Sequence, residues 1–135
     1  MTSIKSEKVL INVPVQRVFE FLCNFNNYQQ LMPEQVTDWQ SDDDSGTFTI
    51  KNMATIGLRI IDKIPFEKVH LEKTKAPFEL TLDCLMNDMG DNFSTQLELQ
   101  LDAELNAMLK MMATKPLTNF VNILATNCKK VLEGI

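Results

Sequence analysis

The stretch that decides the fold is Asn92-Phe93-Ser94-Thr95-Gln96-Leu97-Glu98-Leu99-Gln100-Leu101-Asp102. Successive side chains of a strand point to opposite sides. Phe93, Thr95, Leu97, Leu99 and Leu101 therefore share one face, and Asn92, Ser94, Gln96, Glu98, Gln100 and Asp102 share the other. One face meets apolar material and the other meets water, which is the pattern of an antiparallel sheet covered on one side only. Such a sheet needs a cover.

The segment that follows supplies it. Leu117, Phe120, Val121, Leu124, Cys128 and Val131 recur at three- and four-residue steps, one apolar stripe of a helix. Asn106 is placed to cap a helix starting at Ala107. Lys129 and Lys130 sit in the last turn, where free carbonyls favour cations, and Gly134 can adopt the left-handed terminating conformation. Thr118, Asn119, Asn122, Thr126, Lys129 and Glu133 fall away from the stripe. Pro116 has no backbone N–H, so a kink or restart is expected between Ala113 and Pro116.

Upstream the alternation repeats. Lys5 to Val13 reads as a strand with Val9, Ile11 and Val13 on one face, ended by Pro14. Val15, Val18, Phe19 and Leu22 then fall at helical spacing, and Phe25, Tyr28, Leu31 and Met32 predict a second short helix ending at Pro33. Further strands are expected at Val36 to Gln40, Thr47 to Asn52, Ala54 to Ile64, Lys68 to Lys73 and Phe78 to Asn87, separated by turn clusters such as Ser41 to Gly46. The fold class is α+β. About seven antiparallel strands form a curved sheet wrapped around a long C-terminal helix, and two short helices follow the first strand.

With 135 residues, 44% of them hydrophobic, the chain suffices for one core and is too short for two, so residues 1–135 are read as a single domain. The net charge of −5 disfavours nucleic acid and anionic membrane surfaces as partners. No apolar run approaches the roughly 18 residues of a membrane span, and Met1-Thr2-Ser3-Ile4-Lys5 does not open a signal peptide. Cys23, Cys84 and Cys128 are odd in number and widely spaced, which argues for a reducing compartment and a cytoplasmic location.

Ile11-Asn12-Val13-Pro14-Val15-Gln16-Arg17-Val18-Phe19-Glu20-Phe21-Leu22 resembles the opening of the START-like, or SRPBCC, superfamily: an apolar strand, a proline, then an aromatic and a leucine on the first helix. Asn26-Asn27-Tyr28 through Met32-Pro33 is similar to the second helix of that group and its closing proline. The stretch from Leu105 to Met112 looks most like small bacterial SRPBCC proteins. The resemblance spans nearly the whole chain and implies the helix-grip fold of birch-pollen-type allergens, lipid-transfer domains and polyketide cyclases. It also implies an apolar cavity between sheet and helix. Its motifs are structural and transfer no catalytic residue.

The expected occupant is a small apolar or amphipathic ligand, and the residues expected to line its cavity are Phe48, Ile56, Leu58, Asp62, Leu80, Leu97, Leu99, Met112, Phe120 and Leu124. Met108, Met111 and Met112 add flexible thioethers near one end of the cavity, where they could adapt to varied apolar shapes or simply fill gaps. Asp62, Asn52 and Thr95 share parity with apolar neighbours and could point inward; a buried carboxylate at Asp62 would be a candidate acid or base. The alternative is therefore a cyclase- or dehydratase-type enzyme, which needs two converging polar groups. A second alternative is a protein-interaction domain anchored by Trp39. His70 falls on the solvent face with no metal-ligand spacing around it, and Asp42-Asp43-Asp44 lacks the alternation of a calcium loop. No cofactor and no metal is expected, and oligomeric state is open.

Overall fold

The computed structural model describes residues 1–134. The strands are β1 (Thr2–Lys5), β2 (Val9–Ile11), β3 (Val36–Ser41), β4 (Ser45–Ile50), β5 (Ala54–Ile64), β6 (Lys68–Lys75), β7 (Leu80–Asp88) and β8 (Thr95–Ala103). Helix α1 (Val15–Leu22) and a 3₁₀ helix (Phe25–Leu31) lie between β2 and β3, and α2 (Ala107–Leu132) closes the chain. The sheet is antiparallel in the order β1-β8-β7-β6-β5-β4-β3, with β2 also paired to β8. Helix α2 packs on β1, β2, β8 and the 3₁₀ helix, while α1 packs on β6 and β7.

The alternation that predicted β8 holds from Thr95 onward. Thr95, Leu97, Leu99, Leu101 and Ala103 are all buried, and Leu97 is 0% exposed. Their partners on β7 are equally apolar, with Leu82 opposite Leu101, Cys84 opposite Leu99 and Met86 opposite Leu97. Full burial of a leucine contributes about 1.5–3 kcal/mol, so this ladder is a large part of what holds sheet to helix.

Phe93 departs from the expectation. It is 75% exposed, because the Asp91 carboxylate accepts the N–H groups of Phe93 and Ser94 and so ends the turn only just before Thr95. Asn92 there has φ 62, a left-handed conformation that asparagine tolerates. The side chain two residues before the strand is thus turned outward.

The strand expected at Lys5 to Val13 is only β2, Val9–Ile11, and an unexpected strand, β1 (Thr2–Lys5), precedes it. Five residues from Lys5 to Val9 face four from Gln100 to Leu97, so one extra residue bulges out. Ser6 sits in the break, its N–H donating to Leu99 O at 2.8 Å and its Oγ accepting from Leu99 N–H at 2.9 Å. The bulge shifts the phase: Ile4 and Ser6 are buried before it, Ile11 and Val13 after it. The stripe Phe25, Tyr28 and Leu31 has a step of three, which is the period of a 3₁₀ helix, and all three are buried.

Helix α2 runs unbroken through Pro116; the expected restart does not occur. Asn106 caps it, with Oδ1 accepting from Leu109 N–H at 2.9 Å, and Gly134 takes φ 75 just past its end. Three polar residues expected to face solvent instead strap the helix to the chain's start. Asn122 accepts from Glu7 N–H at 2.7 Å, Glu133 accepts from Asn12 N–H at 2.7 Å, and Lys129 donates to Leu10 O at 2.6 Å. Asn127 donates to Leu31 O at 2.9 Å and ties the same helix to the 3₁₀ turn.

Candidate functional site

Helix α2 leaves the sheet at its N-terminal end. From Ala113 onward its apolar stripe is buried, but Met108, Met111 and Met112 are 70%, 87% and 68% exposed. The opposite wall is the end of β4 with the turn Lys51 to Met53 and the segment Pro33 to Gln35. Lys51 N–H donates to Gln35 O at 2.9 Å, which fixes these two segments side by side. Asn52 takes φ 66 at the turn, so it lies exposed at the rim instead of pointing into the barrel as its parity had suggested.

Between the walls lies a cleft of about 440 Å³. Its deepest residues are Ile50, Ala113 and Phe120, all buried. Leu109, Met53, Pro33 and Ile123 form half-buried sides, and Met112, Pro116 and Asn119 form an exposed rim together with Lys51, Asn52 and Lys115. Pro116 has no N–H to donate to the Met112 carbonyl one turn earlier.

Of the residues expected to line a cavity, Met112 and Phe120 do line this cleft. Phe48 lies directly behind its floor, its ring 6.1 Å from that of Phe120 with planes 18° apart. Ile56, Leu58, Leu80, Leu97, Leu99 and Leu124 are buried in the core shared by sheet and helix, and none is part of the cleft wall. Asp62 is exposed. Ile60 pairs with Leu71 and Asp62 with His70, so Ile61 bulges out between them and carries Asp62 off the inner face. The inward reading of Asp62 is therefore corrected. Thr95 does point inward, fully buried, its hydroxyl donating to Val13 O at 2.8 Å.

Trp39 is half-buried within a ladder of rings. Tyr28 stacks on Phe25 at 4.8 Å, Phe25 on Trp39 at 5.3 Å, Trp39 on Phe48 at 5.6 Å, and Phe48 on Phe120. A bulge makes this possible. Four residues from Thr37 to Gln40 face only three on β4, Thr47 to Thr49, with Asp38 at φ 56, and the slip turns Trp39 inward. Ring stacking of this kind adds about 0.5–1.5 kcal/mol per pair beyond area burial. The ladder thus runs from the 3₁₀ helix through the sheet to the cleft floor.

The remaining polar features sit elsewhere. His70 lies on the outer sheet face, Nδ1 2.6 Å from Asp83 and Nε2 3.1 Å from Glu72. Burial alone would lower its pKa, but hydrogen bonds to Asp83 and Glu72 outweigh that and hold it above the ordinary 6.5. Asp42 caps its own hairpin, accepting from the N–H groups of Asp44 and Ser45, and those bonds hold its carboxyl below the usual range. The buried Cys84 thiol, beside Tyr28 Oη at 3.6 Å, is pushed up to about 12 by desolvation. No group of three or more His, Cys, Asp or Glu among the described residues is placed to hold a metal ion.

The residues missed by sequence reasoning are Leu109, Ala113, Lys115, Pro116, Asn119 and Ile123 on the helix and, on the facing wall, Pro33, Gln35, Ile50, Lys51 and Met53. A turn joining two strands carries no period that would show where it folds back. The available signal was Lys51-Asn52 between two alternating runs, with Asn52 suited to a left-handed turn position.

No sequence-family model matches the chain, and no curated protein matches it in sequence. Solved structures do match in fold. A START superfamily protein from Mycobacterium smegmatis superposes with a TM-score of 0.72 at 13% identity, covering 98% of this chain and 97% of that one. The KanY protein gives 0.77 at 14% identity, with 98% of each chain covered. The protein XoxI from Bacillus cereus gives 0.78 at 10% identity, covering 98% of this chain and 96% of that one. At such identities the likeness is one of fold, and it extends over the full length.

Proposed function

We propose that the chain binds a small apolar or amphipathic molecule in the cleft between the first turns of α2 and the β4–β5 turn. The observation that carries this reading is the combination of a buried apolar floor, Ile50 and Phe120, with the exposed Met112 at its rim, while Met108 and Met111 are exposed on the same first turns of α2. Exposed apolar side chains cost solvation and are usually scattered; grouped beside a concave apolar surface they mark a binding site. The volume of about 440 Å³ falls within the range of about 300–1,000 Å³ typical of small-molecule sites. Unbranched thioethers can settle against chains of differing shape.

The START-like fold supports the reading, since the superfamily that the sequence resembles commonly holds apolar molecules between sheet and helix. The cleft walls contain no carboxylate, histidine or cysteine, which favours holding a ligand over moving its protons. Transport of the ligand follows naturally if the mouth also takes it up and releases it. Three free cysteines suit a reducing compartment, and we place the protein in the cytoplasm on that ground.

Native mass spectrometry tests the reading. Freshly purified protein, or protein incubated with single-chain amphiphiles, is expected to carry one small molecule of low polarity. Bare protein mass under both conditions would contradict it.

A further inference from the structure

Resting on the binding reading above, we infer that the ligand is an anionic amphiphile, its head group held by Lys51 and Lys115 at the cleft rim and its apolar tail laid toward Phe120. Acidic residues outnumber basic ones in this chain by 18 to 13, yet the cleft wall contains two lysines and no acid. The local charge therefore opposes the net charge of −5, and in a concave site with low-dielectric walls such a contrast focuses an attractive potential on anions.

The two lysines come from different walls. Lys51 opens the β4–β5 turn and Lys115 lies on α2 next to Pro116. Among the described residues, the ion pairs are Lys63 with Asp44, His70 with Glu72 and Asp83, Lys73 with Glu79, and Lys129 with Glu133. Neither rim lysine is engaged in one. Both ammonium groups are thus available to a ligand. Asn52 and Asn119 stand on the same rim and can donate amide hydrogen bonds to an oxyanion. Polar groups gathered at the mouth with apolar groups at the floor match a molecule charged at one end only.

A lysine ammonium acts as a point charge, so a carboxylate and a phosphate monoester share the required chemistry. The test uses decanoate, decyl phosphate and decanol, titrated below their aggregation limits by isothermal calorimetry at low salt. The anionic ligands are expected to bind about fivefold more tightly than decanol, the scale of two partly exposed charge contacts. The preference should shrink at high salt and vanish in the Lys51→Gln/Lys115→Gln variant. A preference for one anion over the other identifies the head group. Equal binding of all three ligands would overturn the inference while leaving the binding reading intact, as would an anion preference that survives the double substitution. Failure of all three to bind would overturn both.

Discussion

Phe48 on β4 and Phe120 on α2 stack across the boundary between sheet and helix, ring centroids 6.1 Å apart, and Phe120 is at once core residue and cleft floor. The site and the fold are therefore coupled through one ring. Phe120→Ala should cost about 3–5 kcal/mol and deepen the cleft, since phenylalanine removal from a packed site loses both transfer energy and contacts. Against a total stability of about 5–15 kcal/mol this is a large fraction. Urea denaturation should show a lower midpoint with little change in slope.

Gly46 allows the other end of the aromatic ladder to close. A Cβ there would lie 2.6 Å from Gln40 O and 2.7 Å from the Phe25 ring. Backbone cannot yield as a flexible side chain can, so Gly46→Ala should destabilise by about 1–3 kcal/mol through overpacking. Tryptophan fluorescence should change as well, because Trp39 stacks on the displaced ring at 5.3 Å. An unchanged urea midpoint would refute the close approach.

Thr95→Val keeps shape and removes one hydroxyl. Thr95 is fully buried and donates to Val13 O at 2.8 Å, so the substitution should cost about 1–3 kcal/mol, the penalty for an acceptor deprived of its partner. Thermal unfolding of Thr95→Val and Thr95→Ser side by side checks this, with Thr95→Ser retaining the bond and losing only a methyl group.

His70 gives stability a dependence on pH. Its folded pKa is raised above 6.5 by Asp83 and Glu72, so the folded state favours the protonated ring. The contribution is complete below the unfolded value of about 6.5 and is lost as pH rises through the raised folded value. The gap in stability between wild type and His70→Gln should therefore be wider at pH 5.5 than at pH 8.5. An NMR titration of the single histidine should place its midpoint above 6.5, and Asp83→Asn should bring it down.

The fold was legible because most of it is periodic. Leu97, Leu99 and Leu101 alternate cleanly and are buried as expected, and the Asn106 cap and Gly134 terminus of α2 stand where the sequence placed them. Errors cluster where the period slips by one residue. Bulges at Ser6, Asp38 and Ile61 break the β1–β2 strand, turn Trp39 inward and carry Asp62 outward, and none is marked by glycine. Such slips arise from pairing with a distant strand, which alternation within one strand does not record.

The cleft was harder to read than the fold. Its helix wall was visible in part, through Met112 and Phe120, because helical spacing reveals a face. Its other wall depends on the hydrogen bond from Lys51 N–H to Gln35 O, which joins two turns 16 residues apart in sequence. Most residues expected to line a cavity instead fill the core, since alternation tells which way a side chain points and not how much space its neighbours leave.

The most direct test of the central claim is methyl NMR of protein labelled at its eight methionines, titrated with decanoate. Met53 and Met112 line the cleft, whereas Met86 is buried in β7 and Met89 lies in the β7–β8 turn. Saturable shifts at Met53 and Met112, with Met86 and Met89 still, are the predicted result. Shifts confined to Met86 and Met89, or no saturable shift at any methionine, would contradict the account.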